Sequence, residues 1–409
     1  MATIEMVPAG TDIFPTAGTP VCPIQDALAA IRQHLGMEVA YFSEFVDGRS
    51  VFRRVDAPGL EHLIKAGDSQ SLDDVYCNHI LEGRLPELIP DTSRFPLAVS
   101  MPITAAVPIG SHASIPVRLR DGRPYGMFCC LSPRPNPTLN DRDLAMLRTF
   151  AEIAARQVNS ELEQTLAARA ARTRIEQVLA TRAFRMVYQP IHDVRTRALV
   201  AYEALCRVQS DPVRTPDLWF AEAASVGLGL PFELAAIAAA VEAFPALPSD
   251  VALSVNASPE VVLSGRLIEA LDARYLERTV VEVTEHAAVG DYAALRSELA
   301  SLSARGVRIA VDDAGAGYAG LQQLLQLAPD VIKLDMSLVR GIDTDAARRA
   351  LASAMTYFAR ETGALVVAEG VETEGEFAAL AALGVERVQG WLLGKPRELP
   401  IVVPVHVAS

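Results

Sequence analysis

Cysteine is scarce in this chain, and the few it has follow no pattern. Cys22, Cys77, Cys129, Cys130 and Cys206 make five, an odd number without CxxC spacing. That argues against a disulfide framework or a zinc site and fits a reducing cytoplasm. Basic residues are in deficit as well: 37 Lys and Arg face 50 Asp and Glu, a net charge of −13. Nucleic-acid polymers and other polyanions are therefore not expected as partners, although a small phosphorylated ligand held through metal ions is compatible. No uninterrupted apolar run approaches the ~18 residues of a membrane span, and even Leu234–Val241 is short. Met1–Met6 carries Glu5 and no basic residue, unlike a signal peptide. What is present is an ordinary globular mix, 50% apolar and 21% charged over 409 residues. The expectation is a soluble, cytoplasmic chain of two or three domains with no membrane association.

Residues 1–22, with Pro8, Gly10, Pro15, Gly18 and Pro20, read as a loose arm. From Pro23 the apolar positions Ile24, Leu28, Ile31 and Leu35 fall on one helical face, and Gly36 supplies the stop. The runs Val39–Val46 and Ser50–Val55 flank Asp47-Gly48, and Ile115–Leu119 and Tyr125–Leu131 flank Asp121-Gly122; both pairs read as hairpins. With a helical stretch at Leu72–Leu81, residues 23–140 form an α+β module, its helices expected on one side of the strands. Asn140 caps a helix that meets no Gly or Pro from Asp141 to Arg182. Leu144, Leu147, Ala151, Ala154 and Val158 make an apolar stripe, expected to pair with a second chain in a parallel homodimer. A break near Asn159-Ser160 is the alternative to one long helix. The connecting helix is assigned to residues 141–174, and the last domain to 175–409.

That last region alternates apolar strands with alanine-rich helices. The strands are Met186–Ile191, Val200–Leu205, Val251–Val255, Val280–Val283, Val307–Val311, Val331–Leu334, Leu365–Val367 and Val388–Leu392, the rhythm of a (β/α)8 TIM-type barrel of parallel strands. Each carries or ends in a polar residue: Gln189, Glu203, Asn256, Glu282, Asp312 with Asp313, Lys333, Glu369 and Gln389. Strand ends of such a barrel meet at one mouth, and several carboxylates gathered there need balancing positive charge. Oxygen donors without His or Cys favour Mg2+ or Mn2+, and the adjacent aspartates suit two ions. The plainer alternative for any one of them is a solvated loop acid or a helix cap.

The runs Tyr188–Ile191 (YQPI) and Glu203–Arg207 (EALCR) resemble the opening of EAL-type cyclic di-GMP phosphodiesterases. Ser254–Pro259 (SVNASP), Glu282–Glu285 (EVTE), Val311–Tyr318 (VDDAGAGY), Ile332–Asp335 (IKLD), Ala368–Thr373 (AEGVET) and Gln389–Pro396 (QGWLLGKP) continue that pattern in order. The first module resembles a GAF domain through its hairpin, Gly126–Leu131 and the following helix, and implies an unknown small ligand. No GGDEF motif occurs, so the opposing cyclase activity is not implied. The resemblance implies hydrolysis of cyclic di-GMP to linear pGpG. Glu203, Asn256, Glu282 and Asp312 would ligate one cation. Asp312, Asp313 and Glu369 would serve the second, Glu369 directly or through water. Lys333 would hold and help activate the attacking water, Gln389 would order the metal and water shell, and Gln189 and Arg207 would contact the dinucleotide. Glu285 would anchor the loop after the aspartates.

That loop departs from the usual DDFGTGYSS: here it reads Asp312-Asp313-Ala314-Gly315-Ala316-Gly317-Tyr318-Ala319-Gly320, without the aromatic and three hydroxyls. The departure keeps a second reading open, a receptor that binds the dinucleotide without cutting it. A third, a scaffold that dimerises through the long helix, leaves the strand-end acids unexplained. His286 reads as a loop or supporting residue, and His79 as surface or packing. Cys129-Cys130 read as small apolar packing groups. Trp391 could either line a guanine pocket or pack in the barrel.

Overall fold

The computed structural model describes residues 23–283, 291–314 and 324–399. The chain divides between Ala167 and Ala168 into two compact units.

The first unit is built on six antiparallel strands: β1 (Val39–Val46), β2 (Arg49–Asp56), β3 (Ser69–Ser71), β4 (Leu88–Ile89), β5 (Ser111–Arg118) and β6 (Pro124–Ser132), in the order β3-β2-β1-β6-β5-β4. Asp47 and Gly48 both take positive φ (48° and 74°), which a two-residue hairpin turn needs for its twist to match the strands. Side chains alternate across the sheet with period two. Ala40, Phe42, Phe128 and Cys130 face the helix Pro23–Leu35 and the stripe Leu147, Ala151, Ala154 and Val158. Val39, Tyr41, Met127 and Cys129 face the opposite way, under the short helices Tyr76–Leu81 and Pro96–Ser100. The vicinal cysteines therefore point to opposite faces, each a buried free thiol.

Two expectations change here. Helices cover both faces of the sheet, because β1 and β6 are apolar on both sides. The apolar stripe, expected to pair with a second chain, is buried against its own unit, with Leu147 and Val158 fully enclosed. The helix that carries it runs unbroken over 41 residues, Asp141–Thr181, past Asn159-Ser160 and beyond the anticipated residue 174.

The second unit is a closed eight-stranded barrel. Its strands are β7 (Phe184–Asp193), β8 (Leu199–Val208), β9 (Ala252–Ala257), β10 (Thr279–Val283), β11 (Arg308–Ala314), β12 (Val331–Leu334), β13 (Leu365–Ala368) and β14 (Arg387–Gln389). Closure runs β10-β11-β12-β13-β14-β7-β8-β9. The expected all-parallel barrel is corrected at one strand: β7 is antiparallel to both β8 and β14. The five residues between β7 and β8 form a tight turn closed by Asp193 N–H to Ala198 O at 2.9 Å, too short for the helical crossover that a parallel pair requires.

Inside the barrel, Ile191, Ala201, Ala252, Val280, Ala310, Val331 and Val367 form an apolar layer, one residue from each of seven strands. A second, larger core lies between the barrel and its helices. The segment 229–246 passes, by length and composition, for a membrane span, although polar residues interrupt its apolar run. Its Phe232, Ala236, Ile237, Ala240 and Val241 are packed into the unit.

Candidate active site

The inner apolar layer determines which side chains lie next to it. Two residues on from Ala201, Val280, Ala310, Val331 and Val367 stand Glu203, Glu282, Asp312, Lys333 and Glu369, on the same inward face by the two-residue repeat. On β9 the repeat from Ala252 gives Ser254 and then Asn256. The reversed strand β7 reaches the same level by stepping back from Ile191 to Gln189, and register sets Gln189 directly opposite Glu203. Glu282 likewise sits opposite Asn256.

Lys333 occupies the middle of this layer, 1% exposed. Its Nζ lies 2.5 Å from Glu282 Oε2, 2.5 Å from Glu369 Oε1, 3.1 Å from Asp312 Oδ1 and 3.6 Å from Glu203 Oε2. Glu203 is gripped from two other sides, by Asn256 Nδ2 at 3.1 Å and Gln389 Nε2 at 2.7 Å. Gln389 Nε2 also donates to Gln189 Oε1 at 3.1 Å, and Gln189 Nε2 donates to Gly394 O at 3.2 Å. The Ser254 hydroxyl donates to Glu282 Oε1.

One ammonium among four carboxylates leaves negative charge in surplus. Burial, reinforced by the charges of Glu203 and Asp312, outweighs Lys333 and pushes the Glu282 carboxyl up to about 8. Burial, with Asp312, Glu203 and Glu282, raises Glu369 well above its ordinary value. For Lys333, burial favours loss of the proton, yet the surrounding carboxylates outweigh it and hold its pKa well above the usual range. Each raised carboxyl is a group that a divalent cation would return to the charged state.

The donor set fits the implied cations on two counts. The buried surplus charge is carried entirely by oxygen donors, and Gln389 Oε1 is buried without a hydrogen-bond partner. Among the described residues no three His, Cys, Asp or Glu side chains close on one point at ligand distance. The Lys333 ammonium stands between them instead.

Arg207 lies two pleats beyond Glu203 on β8 and donates to Cys206 O at 2.8 Å. It borders a cavity of about 490 Å³ shared with Phe220, Glu233, Ile237, Asn256 and Ser258, so Asn256 links that cavity to the carboxylates. Asp313 follows Asp312 in β11. Glu285, His286 and residues 315–320 of the altered loop lie outside the described residues. β14 stops at Gln389, leaving Trp391 beyond the barrel, 58% exposed, with Lys395 Nζ 4.7 Å from its ring centre. His79 is buried in packing.

Sequence reasoning missed Ser254, Glu233 and Phe220. Ser254 was accessible in principle, being two residues before Asn256 and so on the same face. Glu233 and Phe220 come from helices whose contact with the cavity only folding creates; Glu233 accepts the Ser258 N–H at 2.9 Å.

Residues 169–396 match the EAL domain family, and the chain belongs to it. Residues 24–158 match the GAF domain family. The probable cyclic di-GMP phosphodiesterase PdeA of Escherichia coli K12 is 31% identical over 207 residues, 48% of this chain and 28% of PdeA. The chain thus spans under a third of that relative's length. The solved structure of the PaMucR phosphodiesterase in complex with c-di-GMP is 28% identical, with TM-score 0.50, covering 56% of this chain and 97% of that one. The EAL enzyme Bd1971, solved with cAMP and cyclic di-GMP bound, covers 89% of this chain and 91% of its own at TM-score 0.55; at 18% identity it shares the fold.

Proposed function

We propose that this chain hydrolyses cyclic di-GMP to linear pGpG, using two divalent cations, Mg2+ or Mn2+, under the control of its GAF-family unit. The reading is carried by one observation, the convergence of Glu203, Asn256, Glu282, Asp312, Lys333, Glu369 and Gln389 on a single inward layer of the barrel. The c-di-GMP complex of PaMucR supports the choice of substrate.

In this reading Glu203, Asn256, Glu282 and Asp312 would hold one cation, and Asp312, Asp313 and Glu369 would hold the other. Cations bound there would lower the pKa of the attacking water and screen the charge of the phosphodiester. Lys333 stays protonated among its carboxylates, so its ammonium orients the attacking water and offers positive charge to the phosphate oxygens. Gln389, whose Nε2 is engaged by Glu203 and Gln189, has its buried Oε1 free of protein partners and would offer it to the metal and water shell. Arg207 presents paired N–H groups to a phosphate from the rim of the adjoining cavity. That cavity, about 490 Å³, falls within the size range of small-molecule sites and suits one guanosine half of the substrate.

The test is incubation of purified chain with cyclic di-GMP and Mg2+ or Mn2+, following pGpG by chromatography. Release of pGpG by the parent and none by Glu203→Ala is expected. The loop 314–320, stripped of its usual hydroxyls, favours the receptor reading, which would instead give saturable dinucleotide binding and no pGpG.

A further inference from the structure

We infer that the first unit contains a binding site for an uncharged, single-ring molecule bearing one hydroxyl, of the phenol type, with His112 as its hydrogen-bonding anchor. The site is a cavity of about 210 Å³ on the Tyr41 face of the sheet, with walls that include Tyr41, Phe52, Tyr76, Val107, Ile109 and His112. It shares no residue with the carboxylate layer of the barrel, and the inference does not depend on the hydrolysis proposed above.

His112 is the second residue of β5, paired to Ile89 on one side and Leu131 on the other, and is 2% exposed. The two-residue repeat sends Ala113, Ile115 and Val117 into the opposite core and turns His112 toward the cavity. Its Nδ1 is buried without a hydrogen-bond partner. Buried polar groups are almost always satisfied, so an unpartnered ring nitrogen on a cavity wall points to a ligand group. Burial pushes the imidazole down to about 4, so at neutral pH the ring is uncharged, one nitrogen donating and the other accepting. A hydroxyl can serve either nitrogen, because it donates and accepts.

The other aromatic polar groups on the wall already have partners. The Tyr76 hydroxyl is 2.7 Å from Thr104 Oγ1, and the Tyr41 hydroxyl stands against the buried Cys77 and Cys129 thiols. Tyr76 instead contributes ring surface, lying edge-on to His112 at 5.0 Å between centres. Apolar walls formed by Phe52, Ile64, Val75, Ile103, Val107, Ile109 and Leu131 complete a slot suited to a ring.

Charge and size narrow the ligand further. None of the lining residues is Lys or Arg, and Asp68 stands among them. A phosphate or carboxylate would meet a carboxylate and no cation, which disfavours nucleotides and aromatic acids. A dry cavity of roughly 150 Å³ accepts benzene, and drug-sized ligands need roughly 300–1,000 Å³. At about 210 Å³ the cavity matches one ring with small substituents.

The experiment titrates the full chain with p-cresol by calorimetry, with toluene, benzoate and cyclic AMP as comparators. Saturable p-cresol binding is expected, at least tenfold tighter than toluene, benzoate or cyclic AMP. His112→Phe keeps a ring in place but removes the hydrogen bond. It should weaken p-cresol at least tenfold and leave toluene binding intact, the toluene result showing that the cavity survives. Val107→Phe, which narrows the cavity, should weaken p-cresol and toluene together. The inference is overturned if p-cresol does not saturate, if benzoate or cyclic AMP binds as tightly, or if His112→Phe binds p-cresol like the parent. Pocket collapse in His112→Phe, seen as loss of toluene, passes the decision to Val107→Phe, where unchanged p-cresol affinity overturns the inference.

Discussion

Lys333 and the carboxylates around it share a single electrostatic problem. Removing one of the proposed ligating oxygens should weaken the hold on a cation, so Glu203→Ala and Asp312→Ala should abolish metal-dependent pGpG release; unchanged turnover in either would refute the assigned site. Lys333→Ala should act in two ways. Turnover should fall roughly 10²–10⁴-fold, the usual worth of a group that handles the proton or water in the reaction. In EDTA the variant should also lose about 3–5 kcal/mol of stability, because it strands buried carboxylates without their cation. Saturating Mg2+ should restore most of that loss in denaturant unfolding. At His112 the sign runs the other way. An unfolded His takes its proton near 6.5, the folded one near 4. Between those values the unfolded chain binds more protons, so the contribution is intact above pH 6.5 and is lost as pH falls toward 4. The full loss is roughly 3 kcal/mol at most, and His112→Phe should flatten the decline of the first unit's unfolding midpoint across that window.

At the level of elements, two glycines let loops pass close enough to place the acids and amides of the site. Gly370 follows Glu369 at φ +71°, and a Cβ there would come within 2.6 Å of Met336 Cβ. Gly390 follows Gln389, and a Cβ there would lie 2.1 Å from Val371 O and 2.3 Å from Val371 N. Backbone cannot yield as a flexible side chain can. Gly390→Ala should therefore cost about 1–3 kcal/mol and displace Gln389 from Glu203, lowering turnover as well as the denaturation midpoint. A variant with parental stability and turnover would show that the strand end tolerates the shift. The reversed strand β7 is the other device at this scale. Because it runs against its neighbours, YQPI presents Gln189 to the site from the middle of a strand rather than from its C-terminal end.

Across the whole molecule, the helix Asp141–Thr181 belongs to both units. Residues 163–170 are mostly solvent-exposed, with Leu166 at 54%, and Ala167 is the last residue of the first unit. Each inserted helical residue adds about 1.5 Å and turns the downstream chain by about 100°. Two residues inserted after Ala167 rotate the barrel by roughly 200°, while seven nearly restore the phase. If the proposed control passes through the helix, the two-residue insertion should change the hydrolysis rate and the seven-residue insertion should stay closer to the parent. Equal rates would mean a flexible tether. Sedimentation of the same three proteins tests the homodimer expected from the sequence, whose contacts must come from elsewhere than the buried stripe Leu147–Val158.

Much of this was legible in the sequence because side-chain repeats are local. Alternation and turn residues marked both hairpins, and the absence of Gly and Pro marked the long helix. Apolar strands each carrying a polar residue marked the barrel and the four carboxylates that meet around Lys333. Three matters were decided only by tertiary structure. The direction of β7 depends on closure of the barrel, since a hairpin and a crossover look alike in an apolar run. The stripe on the long helix could have faced a partner chain or its own sheet, and the apolar pattern is the same for both; packing chose the sheet. The cavity beside His112 is formed by strands and short helices distant in sequence, and a lone histidine in a strand gives no sign of it until the walls are assembled.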